Sequence, residues 1–168
     1  MGAAELMAVE VRLMSDSDDA AAVGDIVRRA YFALPDYPRD REYDVVIGEV
    51  AQRAEEDEVA VALLDGRIVG CLTYVGPDSE HYEFADRHAA SFRYFGVDPS
   101  VQGRGVGEAM VKWCIERARQ QGHQRLRIHT LESMPGARRL YERLGFVRDP
   151  QFDENWDGII GVSFVLHW

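Results

Sequence analysis

The stretch GVDPSVQGRGVGEAMVKWCIERARQQG, residues 96–122, carries three glycines at alternate positions, Gly103, Gly105 and Gly107, directly before a segment with helical periodicity. Val106, Met110, Trp113, Cys114 and Ala118 recur at the spacing that brings side chains onto one helix face. The glycines therefore sit at a helix N-terminus. Such an end carries unpaired N–H groups and the positive pole of the helix dipole, and glycine removes the Cβ that would obstruct an approaching anion. The segment is suited to cradle a phosphate. The plain alternative is a flexible surface loop.

Working outward, Gly122 stops the helix and the strand RLRIHT follows. Pro135 opens a short helix that Gly145 closes, and the last strands are FVR and IIGVSFVLHW, separated by the polar loop DPQFDENWDG. Upstream, the strand SFRYFGV leads into the glycines from a loop rich in charge and histidine, GPDSEHYEFADRHA. Before that loop, EVAVALL and RIVGCLTYV flank Asp65-Gly66, a dipeptide suited to the type I′ hairpin turn because that turn needs positive φ at both central residues. Nearer the start, a strand over Val9–Met14 precedes SDSDD, whose oxygens cap a helix with Val23, Ile26, Val27, Ala30, Tyr31 and Leu34 on its apolar face, ended by Pro35. A second helix is predicted beyond Pro38, with Tyr43, Val46, Ile47, Val50, Ala51 and Ala54 on one side. The order β, α, α, β, β, β, α, β, α, β, β predicts a mixed α/β domain in which helices cover both faces of one sheet. With no internal repeat and no low-complexity linker, a single domain over residues 1–168 is expected.

The 168 residues, 46% hydrophobic and 29% charged, match an ordinary soluble domain with one core. No stretch has the unbroken apolar length of a membrane span, and the start lacks the basic and apolar regions of a secretory leader, so a cytoplasmic protein with no membrane partner is expected. Cys71 and Cys114 stand apart and are expected to be reduced thiols. The five histidines include no pair at metal-ligand spacing, so no metal is expected. The net charge of -10 is uneven: residues 1–90 hold 20 acidic and 8 basic side chains, residues 91–168 hold 9 and 11. That distribution lacks the basic stripe of a nucleic-acid binder. It fits a protein that handles an anion with its second half and a cation with its first, although solubility alone accounts for acidic surface equally well.

Two familiar phosphate motifs fail. A dinucleotide fingerprint counted from Gly103 meets Glu108 at its last glycine, with Arg125 and Arg127 where an acid should hold ribose. A P-loop fails at the same glutamate. The residues instead match Q/R-x-x-G-x-G/A, here Gln102, Gly103, Arg104, Gly105, Val106 and Gly107, after a strand ending in Val97-Asp98-Pro99. A second match, ARRLYERLGFVR, fits A-x-x-L-Y-x-x-x-G-F through Ala137, Leu140, Tyr141, Gly145 and Phe146. On these two linked motifs the chain resembles the GNAT superfamily of acetyl-CoA-dependent N-acetyltransferases. Tyr94–Arg148 carries the recognisable residues, and the first half matches in layout alone. The resemblance implies a GNAT-like acyl-CoA N-acyltransferase fold with a central mixed sheet.

It also implies roles. The strand before the glycines would splay from its neighbour, placing Phe95, Gly96 and Val97 beside the pantetheine arm of acetyl-CoA, with the Val97 N–H donating to the oxyanion. The diphosphate would lie on Gly103–Gly107, with Arg104, and Arg138 or Arg139, adding charge; a solvated helix face is an equal reading of the last two. Tyr141 stands where the family places its general acid, able to protonate the departing thiolate, and its alternative is a packing aromatic. Relatives often hold the cofactor through an asparagine seven residues before the tyrosine. Met134 stands there instead, with Ser133 beside it as a substitute. The strand SFRYFGV carries no carboxylate for the general base, so Glu83, His81, Asp86 or His88 from the preceding loop are the candidates, Glu83 foremost. His129, sharing a strand face with Arg125 and Arg127, is expected to be a satisfied histidine. Trp156 and Phe152 are expected to wall the acceptor pocket, cover sheet or make a homodimer contact.

The acceptor implied is a primary amine on a cationic small molecule or peptide, approaching past Asp36, Asp40, Glu42, Glu80 and Glu83. Protein N-terminal or lysine acetylation is one alternative, and a noncatalytic CoA-binding sensor is another.

Overall fold

The computed structural model describes residues 8–35, 37–132 and 134–168. Strand β1 (Val9–Leu13) is followed by helix α1 (Ala20–Phe32), whose N-cap Asp19 accepts a hydrogen bond from the Ala22 N–H. Val23, Ile26, Val27 and Ala30 are buried along α1, four of the six residues predicted for its apolar face. The predicted second helix is two helices, α2 (Arg41–Val46) and α3 (Val50–Glu56). Val46, Ala51 and Ala54 are exposed rather than packed.

The cause of the break is tertiary. Arg53, buried from α3, donates to the carbonyls of Val46 and Ile47 at 2.5 and 2.8 Å and to the Thr73 hydroxyl at 3.1 Å, so its guanidinium takes over carbonyls a continuous helix would have used. The Gly48 carbonyl lies against Gly24 of α1, where any Cβ would collide with it.

Strands β2 (Glu58–Leu64) and β3 (Arg67–Val75) form the predicted hairpin, with Asp65 and Gly66 at φ of 52° and 76°. Then come β4 (Ala89–Val97), α4 (Val106–Gln120), β5 (Arg125–Leu131), α5 (Pro135–Arg143), β6 (Val147–Arg148), β7 (Glu154–Trp156) and β8 (Ile159–His167). The sheet runs β1-β2-β3-β4-β5-β8-β6, with β7 added on β8. All pairs are antiparallel except β4 and β5. The polar composition of 154–156 predicts a loop, whereas the structure forms β7 there; Asp157 and Gly158, at φ of 57° and 93°, close it onto β8.

Two cores cover opposite faces, as predicted. One joins Met110, Val111 and Cys114 of α4 and Tyr141 of α5 to Leu72, Phe92, Leu126, Ile128 and Phe164. The other joins Val23, Val27, Ile47 and Val50 to Val59, Val61, Cys71 and Tyr94. Both cysteines are free and buried.

Candidate active site

The parallel strands β4 and β5 pair only at Ala89–Arg125 and Ala90–Leu126, and beyond that point they part. A bulge accompanies the divergence. The β3–β4 register steps from Thr73–Arg93 to Cys71–Gly96, which leaves one extra residue in β4, and Tyr94 adopts a φ of 53°. An extra residue bends a strand and sharpens its twist. Tyr94 is held in that conformation by the Arg53 guanidinium 4.0 Å above its ring and by Tyr43 at 6.3 Å. Gly96 follows, with Ala30 and Val27 of α1 so close that a Cβ would come within 3.0 and 3.1 Å of them. A side chain at 96 would crowd α1 where it packs on the sheet.

Strand alternation fixes which groups face the gap. The Asp98 N–H donates to the Val69 carbonyl of β3 at 2.7 Å, so the N–H of Val97 points to the opposite edge, into the wedge. A cavity of about 1190 Å³ fills this wedge.

At one end the cavity is lined by Gln102, Gly103, Gly105, Val106 and Gly107. Gly103 and Gly105 have φ of 81° and 80°, with nothing within 4 Å of where a Cβ would stand, and Gly105 caps α4. Bare N–H groups and the dipole of a 15-residue helix thus meet open space, which suits an anion. Arg139 and Arg143, one turn apart on α5, line this cavity, whereas Arg104 and Arg138 do not. Arg138 pairs with Glu142 at 2.9 Å and borders a separate smaller cavity of about 290 Å³. Ser133 lies outside the described residues. Met134 contributes no side-chain cap to α5, and its Sδ accepts from the Thr130 hydroxyl at 3.7 Å.

Phe95, Gly96, Val97 and Tyr141 also line the cavity. The Tyr141 ring is 4% exposed and packs against Phe92, Phe146 and Phe164. Its hydroxyl has no hydrogen-bond partner among the described residues. Burial pushes the phenol well above its usual pKa, so it keeps its proton at neutral pH. The packing reading of Tyr141 holds for its ring, and the residue also lines the cavity.

The far end is lined by Tyr31, Tyr37, Asp40, Tyr43, Glu83, Arg93, His129 and Trp156. Of the four carboxylate and histidine candidates, Glu83 alone lines the cavity. Its Oε1 takes the Arg93 Nε at 2.6 Å. Asp86 is occupied elsewhere, gripped by Arg125 at 2.6 and 2.7 Å and by Arg127 at 2.6 Å. Burial alone would push its carboxyl up, but those two hydrogen-bonding arginines and the His88 N–H hold it well below the usual carboxylate range. His81 is bonded to Asp57 at 2.7 Å, and the His88 side chain is exposed. Glu42 and Glu80 do not line the cavity, and Asp36 lies outside the described residues.

His129 departs from its expected satisfied state on one nitrogen. Nε2 lies 2.8 Å from the Phe152 carbonyl, while Nδ1 is buried with no hydrogen-bond partner among the described residues. The strand pattern predicts a satisfied histidine because nothing local marks one whose partners come from two distant loops. Phe152 supplies that carbonyl and packs under Arg127, leaving Trp156 as the cavity wall.

No helix among the described residues is long and apolar enough to cross a membrane. Residues 21–146 match the family model described as Acetyltransferase (GNAT) family. A mycothiol acetyltransferase of Saccharomonospora viridis is 28% identical over 143 residues, covering 82% of this chain and 45% of the relative. The chain spans less than half the length of the curated relatives it matches. Among solved structures, a GNAT-family protein from Desulfovibrio desulfuricans superposes with a TM-score of 0.70 at 21% identity, covering 95% of this chain and 99% of that one. YncA from Salmonella typhimurium, solved with its cofactor acetyl-CoA, gives 0.66 at 19% identity, covering 95% and 93%.

Proposed function

The chain belongs to the acetyltransferase (GNAT) family, and from that premise we propose that it moves acetyl from acetyl-CoA to a primary amine by direct attack in a ternary complex. The observation that carries this reading is the wedge between β4 and β5, with the bare glycine loop at one end, Tyr141 between, and Glu83 and His129 at the other. The diphosphate of the donor would rest on the N–H groups of Gly103–Gly107, Arg139 and Arg143 adding charge from α5. The pantetheine arm would run along the free edge of β4 at Phe95–Val97. That direction delivers the thioester carbonyl to the Val97 N–H, a donor for the oxygen on which charge develops as the amine attacks.

The proton count closes. The acceptor enters as an ammonium and gives up two protons, one before attack and one from the tetrahedral adduct. When the carbon–sulfur bond breaks, Tyr141 protonates the departing thiolate and is recharged in turn. One proton therefore ends on the thiol and one in solvent.

A cationic amine acceptor is supported by Asp40 and by the aromatic faces of Tyr31, Tyr37, Tyr43 and Trp156 at the far end. Glu83 adds less than its sequence position suggests, because Arg93 offsets its charge. The test is thiol release from acetyl-CoA with a panel of polyamines, aminoglycosides, lysine peptides and neutral or anionic amines. Turnover confined to neutral or anionic amines overturns the cationic acceptor. Stabilisation by CoA with no turnover of any amine favours a sensor, and no stabilisation by CoA defeats the cofactor site itself.

A further inference from the structure

We propose that His129 Nδ1 is the atom on which the proton of the attacking amine comes to rest, passed to it by the Glu83 carboxylate, which lines the cavity while Nδ1 itself is closed off from it. This rests on the amine-acetylating reading of the same cavity.

The geometry leaves the tautomer little freedom. The Phe152 carbonyl can only accept, so the Nε2 that lies 2.8 Å from it must carry the ring proton. The neutral ring therefore presents a bare lone pair at Nδ1. That nitrogen is buried in a side chain only 5% exposed, and Glu83 Oε2 stands 3.6 Å away. Two acceptors facing each other at that separation form no bond, and the gap is too short to seat a water in line between them. A proton delivered to Nδ1 converts the two facing acceptors into an ion pair at that separation. Unpaired buried polar atoms are rare in folded proteins and call for a reason, and proton capture supplies one here.

The surroundings hold this arrangement in place. The imidazole stacks on Phe84 at 4.3 Å, and Trp156 meets its edge at 5.2 Å. Arg93 fixes Glu83 through Oε1 and so leaves Oε2 turned to the ring. The other charged groups near the ring are Arg127, two residues earlier on the same strand face, and Asp153, whose carboxylate Arg148 holds at 2.8 Å. Ser163 lies directly across on β8. In the step itself an N–H bond of the ammonium breaks, its electron pair stays on nitrogen to attack the thioester carbonyl, and the proton bonds to Glu83 Oε2, whose O–H bond then breaks as the proton passes to Nδ1. The imidazolium later returns that proton to solvent.

The test combines kinetics with nitrogen-15 NMR. His129→Gln keeps an amide donor for the Phe152 carbonyl but has no basic lone pair. Its kcat should fall by about 10²- to 10⁴-fold while stabilisation by CoA is unchanged. Glu83→Gln keeps the size of the side chain but cannot carry the proton inward, and its kcat should fall by a similar factor. In histidine-labelled wild type, the signal absent from His129→Gln should show, in its neutral form, protonated Nε2 and bare Nδ1. Turnover with an unchanged kcat in His129→Gln overturns the assignment and leaves the acetyltransferase reading standing. A proton found on Nδ1 in the neutral ring also overturns it. A bare Nδ1 in a protein that acetylates no amine would leave the proton site intact and defeat the reading on which its catalytic use depends.

Discussion

Gly105→Ala separates the anion cradle from the rest of the cavity. At φ of 80° an L side chain pays for a left-handed conformation, about 1–2 kcal/mol, but meets no neighbour within 4 Å. In a chain of this size the melting temperature should therefore fall by only about 2–8 °C. The added methyl occupies the space in which a diphosphate would lie, and displacing a phosphate from one charged N–H contact costs about 1.5–3 kcal/mol. Affinity for acetyl-CoA should drop roughly 10- to 100-fold. Acetyl-pantetheine has the reacting thioester and no diphosphate, so its kcat/KM should be the same in variant and wild type. Calorimetric titration with CoA and turnover with both donors give the comparison. Equal losses with the two donors, or no loss with either, would refute the claim that these amides hold the diphosphate.

Tyr141→Phe should lower kcat by about 10²- to 10⁴-fold, roughly 3–5 kcal/mol of barrier, with acetyl-CoA affinity unchanged; an unaltered kcat would reduce the residue to packing. Because burial keeps the phenol protonated, no limb of the wild-type pH profile near neutrality should vanish in that variant. Asp86→Asn leaves the guanidinium of Arg127, 7% exposed, with Asp149 as its remaining carboxylate, and should cost about 3 kcal/mol by chemical denaturation. The folded pKa of Asp86 is depressed, so its stabilising contribution is full above the unfolded value of about 4 and lost as pH falls toward the folded one; the difference between wild type and variant should shrink on acidification. Burial pushes the Cys71 thiol up to about 12 and Cys114 well above its usual value, so neither should react with a disulfide reagent at pH 8 until the protein is unfolded.

The glycine end of the cavity is legible in the sequence because local rules govern it. Glycines before a helical period, and an Ala-Leu-Tyr-Gly-Phe spacing, each lie within a few turns of chain. Even the choice between Arg138 and its neighbours is visible in that way, since Arg139 and Arg143 share one helix face and Arg138 faces Glu142. The break between α2 and α3 was hidden because apolar spacing cannot show that Arg53 will cap Val46 and Ile47. β7 was hidden by its three exposed residues, although Asp157-Gly158 repeats the dipeptide that announced the first hairpin. The pairing of Glu83 with His129 joins a loop to a strand on the far side of the wedge, and no periodicity encodes such a meeting.

The parting of β4 from β5 after two residue pairs divides the sheet into halves that share almost no ladder of their own. A donor arm with amide groups of its own, laid along that open edge, would serve as a missing rung. Its arrival would then be felt as a splint across the molecule, slowing amide exchange along β4 as well as presenting a thioester.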